Sequence, residues 1–321
     1  MNERLQWIDM AKGWGILLLI YGHIADDIFA KWLYTFHIPL FFFLSGYVFN
    51  PNKDWKTFIY SKSKSLLLPY ISLGIPLILI NLRYGFDLEF LITKFIIQER
   101  MFPLWFITSL FIMLLIAYCI FNRFSNTLHQ LIISVLLGIT GVILWRMEIV
   151  SLPWNIDITM VAFPFFYIGY RLKHSYKFQT LFKHDMFVFW LSFFIVLNLV
   201  GFALIQLSNH PTIDLFYSKF GIEYIAYPCA LAGIFAIILF SHRFTIDFIS
   251  YIGKNSLLYF AWQQDIAIVI SSTIIKHTLL NNYLQELPWM MNLIILLLSV
   301  IILTILNEIV TKSRLRVFIG K

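Results

Sequence analysis

The chain has 321 residues, 60% of them hydrophobic and 13% charged, with a mean hydropathy of +0.79, whereas soluble domains carry about 25% charged residues. That balance excludes a water-soluble enzyme. The net charge of +7 argues for membrane topology and against nucleic-acid binding, because the lysines and arginines are dispersed between apolar runs and not gathered on one module.

The apolar runs predict an all-α polytopic membrane protein with about ten transmembrane helices, at roughly 8–24, 32–49, 65–82, 103–121, 131–145, 157–172, 186–207, 221–240, 256–280 and 289–310. The fifth and sixth are the shortest. With the N-terminus inside, 17 of the 24 Lys and Arg fall in the N-terminal segment, the loops 50–64, 122–130, 171–185 and 241–255, and the tail 311–321. Basic loops stay on the cytoplasmic side, so both termini are expected there, in a multi-pass protein of the cytoplasmic (plasma) membrane. No repeat is visible, and a single membrane domain is expected over 1–310 with a basic cytoplasmic tail at 311–321. The basic-then-apolar start is like a signal peptide, but Asp9 interrupts it and no small-residue cleavage site follows, so it reads as a retained first helix. Cys119 and Cys229 lie within apolar runs and frame no disulfide scaffold.

In chain order, the first helix holds the most informative pair. Lys12 and His23 are eleven residues apart, a spacing that overshoots three helical turns by only ~20° and separates them axially by ~16 Å. Polar groups in hydrocarbon cost several kcal/mol each by most estimates, so one stripe carrying both is expected to face a cavity. Asp9 lies three residues before Lys12 and can pair with it or orient it. Asp26 and Asp27 follow in the first outer loop. The second span opens at His37, which either supports His23 and binds a ligand or anchors the interface, and it closes on Ser45-Gly46.

Lys62 and Lys64 end a lysine-rich loop that is first of all a topology determinant. The stretch 83–102 places Phe86, Phe90, Leu91, Phe95 and Ile96 among charges and predicts an amphipathic helix on the outer surface, or a lid. Trp105 opens the fourth span. Gln263, Gln264 and Asp265 are polar residues within a late span and so candidates for a site. His129, His174, His184, His210, His242 and His277 are read as surface residues.

Trp7-Ile8-Asp9 with Lys12-Gly13, then Tyr21-Gly22-His23, then Phe36-His37-Ile38-Pro39-Leu40-Phe41-Phe42-Phe43-Leu44-Ser45-Gly46 together resemble the acyltransferase 3 family of integral-membrane acyltransferases. In that family a basic residue, usually Arg, stands where this chain has Lys12, and a Phe-rich run closes with Ser-Gly. Ser65-Leu66-Leu67-Leu68-Pro69-Tyr70, Pro103-Leu104-Trp105-Phe106 and Gly253-Lys254-Asn255-Ser256 with Tyr259 are similar to its later blocks. Ten residues after that glycine the family usually has a His, and this chain has Gln263. The Phe-His-Ile-Pro-Leu-Phe form is most similar to the branch named for fucose 4-O-acetylases.

The resemblance implies transfer of an acyl group, most often acetyl, from cytoplasmic acyl-CoA as co-substrate to a hydroxyl of a cell-surface carbohydrate or its lipid-linked precursor, with no metal. Lys12, with Lys62, Lys64 and Arg171, would then meet coenzyme A phosphates. His23 is the candidate general base, since His titrates nearest neutrality, and a covalent acyl-histidine is the alternative. Ser45, Tyr21, Trp105 and Gln263 are the donor types available to an oxyanion. Two other classes compete: a polyprenyl-phosphate-dependent glycosyltransferase using Asp26 and Asp27, and a glycan or solute transporter. The partners expected are acyl-CoA, a carbohydrate acceptor and the lipid bilayer, and no nucleic acid.

Overall fold

The computed structural model describes residues 5–320 apart from positions 99, 101, 150, 174, 176–185, 209, 211–212, 218 and 279–285. His174 and His184 therefore lie outside the described residues. The described chain is helical, with one isolated antiparallel bridge between Asp214 and Lys219. The helices are α1 (Gln6–Ile24), α2 (Ile28–Leu33), α3 (His37–Tyr47), α4 (Trp55–Lys62), α5 (Leu68–Arg83), α6 (Leu88–Ile97), α7 (Trp105–Arg123), α8 (Thr127–Arg146) and α9 (Ile156–Lys173). After them come α10 (Phe187–Leu207), α11 (Glu223–Arg243), α12 (Asp247–Lys254), α13 (Ser256–Trp262), α14 (Val269–Lys276) and α15 (Pro288–Lys312).

Eight helical stretches among the described residues are long and apolar enough to cross a membrane: Ile28–Tyr47, Trp55–Arg83, Trp105–Arg123, Thr127–Arg146, Phe187–Leu207, Glu223–Arg243, Ser256–Lys276 and Pro288–Lys312. The protein is thus an all-α polytopic membrane protein. Valine, leucine and isoleucine side chains such as Val188, Val196, Leu297 and Ile301 stand exposed on α10 and α15, as lipid-facing surfaces require. The remaining two of the ten expected segments are α1 and α9, helices of 19 and 18 residues. Both carry charged residues and both are wrapped by other helices. α1 packs against α3, α11, α12 and α15, and α9 against α3, α7 and α8. Charged positions in a membrane helix are tolerated where they face protein.

Two boundaries differ from the sequence reading. Residues 50–64 are not simply a loop: the Asp54 carboxylate caps the Thr57 N–H at 3.0 Å and starts α4, which runs through a π-helical turn (Ser63–Leu67) into α5. Lys62 and Lys64 are accordingly helical residues. The basic tail likewise folds back, since Arg314–Ile319 forms a 3-10 turn packed on α5 and α15. In the stretch 83–102, α6 buries Leu91, stacks Phe95 on Tyr70 at 4.5 Å and exposes Phe90 and Ile96, and Phe86 stands exposed ahead of the helix.

Two reciprocal glycine contacts draw the central helices together. A Cβ on Gly13 would stand 2.1 Å from the Ile249 carbonyl oxygen, and one on Gly253 would stand 1.8 Å from that of Asp9, so α1 and α12 touch backbone to backbone. Gly46 and Gly169 make the same exchange between α3 and α9, against the carbonyls of Phe166 and Phe43 at 1.9 and 2.1 Å. Small residues at such crossings let membrane helices approach closely. Gly253→Val should therefore lower the unfolding free energy in detergent by about 1–3 kcal/mol, the cost of overpacking. Gly22→Ala, whose new methyl would meet only the Tyr34 ring at 3.4 Å, should leave the thermal midpoint unchanged.

Candidate functional site

α1 is unbroken from Gln6 to Ile24, so Lys12 and His23 keep their common stripe, ~16 Å apart along the axis. The sequence predicts one cavity for both, but the structure places them on separate ones. His23 opens into a cavity of about 340 Å³, and Lys12 borders two smaller ones of about 180 and 190 Å³. Three phenylalanines fill the space between. Phe260 packs on Phe41 at 6.2 Å and on Phe106 at 4.9 Å between ring centroids, with Phe41 and Phe106 themselves 6.0 Å apart. Phe260 lines both the His23 cavity and the aromatic-walled cavity of Lys12.

The His23 cavity is assembled from six parts of the chain. α1 and the α2–α3 connection give His23, Tyr34 and His37; the end of α5 gives Asn81; and the approach to α7 gives Phe102, Pro103 and Trp105. The segment between α10 and α11 lays Asp214, Phe216 and Tyr217 over it, and a π-helical stretch after α13 (Gln263–Ile268) adds Gln263, Gln264 and Asp265.

The two histidines differ in how they are held. His23 is solvent-accessible, and its Nδ1 lies 3.5 Å from the Tyr34 hydroxyl, too long for more than a weak bond. His37 is 2% exposed, and its Nδ1–H donates to the Leu33 carbonyl at 2.8 Å. A carbonyl only accepts, so Nδ1 carries the proton of the neutral ring and Nε2 is left as the acceptor nitrogen. The Tyr34 ring stands edge-on to both imidazoles, with centroids 6.2 Å from His23 and 4.9 Å from His37.

Gln263 is fully buried, yet neither its Oε1 nor its Nε2 makes a hydrogen bond, and Asp265 Oδ2 is also unpaired. Leaving a buried amide unsatisfied costs about 1–3 kcal/mol, and both residues border the cavity, so the site presents polar groups with unfilled capacity. The Asp214 carboxylate accepts from the Phe216 and Tyr217 N–H groups at 3.0 and 3.4 Å, which folds this loop over the opening. Burial pushes the Asp214 carboxyl above the usual carboxylate range. Trp105 is fixed from behind by Asn155, whose amide donates to the Trp105 carbonyl at 3.3 Å. The neighbouring segment holds Gln98, Arg100 and Phe102 at φ of 52–55°, and a buried ion pair from Arg100 to Asp157 ties it to α9. Left-handed non-glycine residues persist only where the surroundings over-determine them.

Around Lys12 the neighbours are different. One cavity is walled by Phe41, Ser45, Leu66, Phe106 and Ser256, the other by Lys254, Asn255, Asn307 and Ile319 of the returned tail. Lys254 is thus the second cation here. It lies in the Gly253-Lys254-Asn255-Ser256 block, which was the signal that could have found it. Of the other expected cations, Lys62 is near enough to repel Lys12 electrostatically and sits 5.8 Å over the Phe58 ring, while Lys64 and Arg171 are exposed and line neither cavity.

Several candidates fall elsewhere. Ser45 donates to the Phe41 carbonyl at 2.7 Å and borders the Lys12 cavity, so it is separated from His23 by the phenylalanines. Asp9 is buried at the α1–α12 crossing and lines no cavity described above. Asp27 caps α2 through the Ala30 N–H at 2.7 Å and accepts from Tyr21, and Asp26 is an exposed partner of Lys31. Neither carboxylate lines the His23 cavity, nor does Tyr21. His242 is not a surface residue: it is half-buried and stacks on Trp7 at 4.5 Å. Among the described residues no group of three His, Cys, Asp or Glu side chains is placed to hold a metal ion.

The family model described as an acyltransferase domain, acyltransferase 3, matches residues 5–308. No curated protein and no solved structure matches the chain. The bond from His37 to Leu33 gives a direct check on the site: in 15N-histidine spectra one ring should appear as the Nδ1–H tautomer, and that signal should vanish in His37→Gln. An Nε2–H tautomer at this position would contradict the geometry.

Proposed function

The chain belongs to this acyltransferase family, and we propose that it is a membrane O-acyltransferase moving an acyl group, acetyl in the first instance, from acyl-CoA to a hydroxyl of a carbohydrate. What carries the reading is a single helix that offers a cation to one cavity and an imidazole to the next, with Phe260 as their common wall. The basic loops support a donor arriving from the cytoplasm at the Lys12 end, where Lys12 and Lys254 serve its phosphates as point charges. The ~16 Å to His23 is of the same order as an extended pantetheine arm. The likeness to the fucose 4-O-acetylase branch favours acetyl and a sugar hydroxyl.

In this reading the acceptor occupies the His23 cavity, its ring against Trp105, Phe216 and Tyr217 and its other hydroxyls on His37 Nε2, Asp214 and Asp265. His23 takes the proton of the reacting hydroxyl as the oxygen attacks the thioester carbonyl. The negative charge that develops on the carbonyl oxygen is met by donors already in place, the Gln263 amide foremost. The carbon–sulfur bond then breaks, the ester remains on the acceptor, and the proton on His23 passes to the departing CoA thiolate.

The test is to supply labelled acetyl-CoA to membranes with and without the protein and to look for alkali-labile label on glycan. His23→Ala should lose at least about 100-fold of that transfer, the usual worth of a general base, while remaining folded and inserted. Substantial turnover in that variant would refute the base assignment. Lys12→Ala should raise the KM for acyl-CoA about ten-fold, equivalent to about 1.4 kcal/mol, with Lys12→Arg close to wild type; an unchanged KM in Lys12→Ala would remove the phosphate role.

A further inference from the structure

Between the two chambers there is a wall, and acyl transfer as read above requires the acyl carbonyl to cross it. We propose that Phe260, the member of that wall that borders both chambers, is the residue that limits the size of the acyl group transferred. The inference rests on the acyl-transfer reading. It goes beyond it by assigning donor specificity to a single side chain that carries no charge and takes no part in the proton transfer.

Phe41, Phe106 and Phe260 all border the cavity shared with Lys12, but of the three Phe260 alone also faces the His23 cavity. The other two are wedged. The ring tip of Phe41 lies against α1, so close that a Cβ on Gly15 would be 2.9 Å from it. Phe106 is enclosed by Phe42 at 4.9 Å, Phe41 at 6.0 Å and Trp105 at 6.1 Å between centroids. Close-packed rings leave little room for added methylenes unless one of them moves.

The backbone singles out the same residue. Two positions after Phe260, Trp262 leaves helical geometry with φ −110° and ψ 1°, and the next six residues are π-helical. Such bulges interrupt the regular hydrogen-bond ladder and are frequent at functional sites, and this one begins directly after the helical turn that carries Phe260. Trp262 is anchored through its indole N–H to the Leu73 carbonyl at 3.0 Å, and Tyr259 shares a hydrogen bond with the Thr304 hydroxyl at 2.8 Å, so the backbone on either side of Phe260 is fixed and only its ring is left to vary. Gln263, with its unfilled amide, follows directly, so an acceptor bonded to Gln263 acts on the element that carries the wall.

A two-carbon acyl group needs only a narrow passage beside Phe260, whereas each further methylene must be housed among the three rings. The experiment uses the full chain in membranes, supplied separately with labelled acetyl-CoA, butyryl-CoA and hexanoyl-CoA, and reads alkali-labile label on the endogenous acceptor. The wild type should prefer acetyl. In Phe260→Ala the butyryl-to-acetyl ratio should rise by about ten-fold or more, the discrimination commonly attached to one methylene in an apolar pocket. Phe260→Leu, which keeps an apolar side chain and guards against misfolding, should shift the ratio in the same direction. A merely structural role would lower transfer of every donor alike and leave the ratio where it was. An unchanged ratio in both variants, with wild-type transfer intact, overturns the proposal alone. Absence of transfer from any acyl-CoA in the wild type overturns both this inference and the reaction on which it stands.

Discussion

Everything about the site follows from how tightly α1 is held against α12. With Gly13 under the Ile249 carbonyl and Gly253 under that of Asp9, the rotation of α1 about its own axis is set to within the width of a methyl group. Lys12, one residue from Gly13, is thereby turned to the two small cavities, and His23 three turns later to the large one. A central helix with an acid and a base in it is acceptable in a membrane only when protein surrounds it on all sides. α3, α11 and α15 provide the rest of that enclosure.

The second glycine exchange, between α3 and α9, does for the phenylalanine run what the first does for the ionisable pair. Gly46 and Gly169 bring these helices into contact and leave Phe41, Phe42 and Phe43 packed inward, with exposures of 5% or less. An aromatic run that composition alone assigns to helix packing becomes, through Phe41, part of the partition between the two chambers. Packing and site geometry are therefore one structure here. The same rings that pack the centre of the bundle also stand between the two chambers.

The chamber on the His23 side shows how a membrane bundle builds a polar interior. Its carboxylates come from a loop near position 214 and from a π-helical insertion near 265, its imidazoles from the first and third helices, and its aromatic faces from the start of α7 and from the loop. Gln263 illustrates the cost of such a site, for a buried amide without partners is destabilising until something polar fills the space. Sites that violate the ordinary rules of burial are where a bound molecule is expected to restore them.

Apolar run length and the 3.6-residue period are local properties, and everything that depends on them was legible in the amino-acid order. Among the described residues the expected segments fall on helices, although the second is split by a turn at 34–36 into α2 and α3 and the third begins at Trp55, where an Asp cap starts the helix ahead of the apolar run, and eight stretches are long and apolar enough to cross a membrane. The stripe of Lys12 and His23 was legible for the same reason, since an unbroken helix preserves it. So was the oddity of Gln263 and Asp265 in a span. What tertiary structure alone decided is which side chains from distant helices meet. Nothing in a one-dimensional pattern says that Asp214 lies beside His23, that Ser45 falls on the lysine side of the rings, that Lys254 joins Lys12, or that Phe260 stands between the chambers. Those relations are fixed by helix rotation and close approach, which are set by glycine-to-backbone contacts between segments more than a hundred residues apart, such as Gly13 with Ile249 and Gly46 with Phe166, and contact across such distances leaves no periodic trace in the chain.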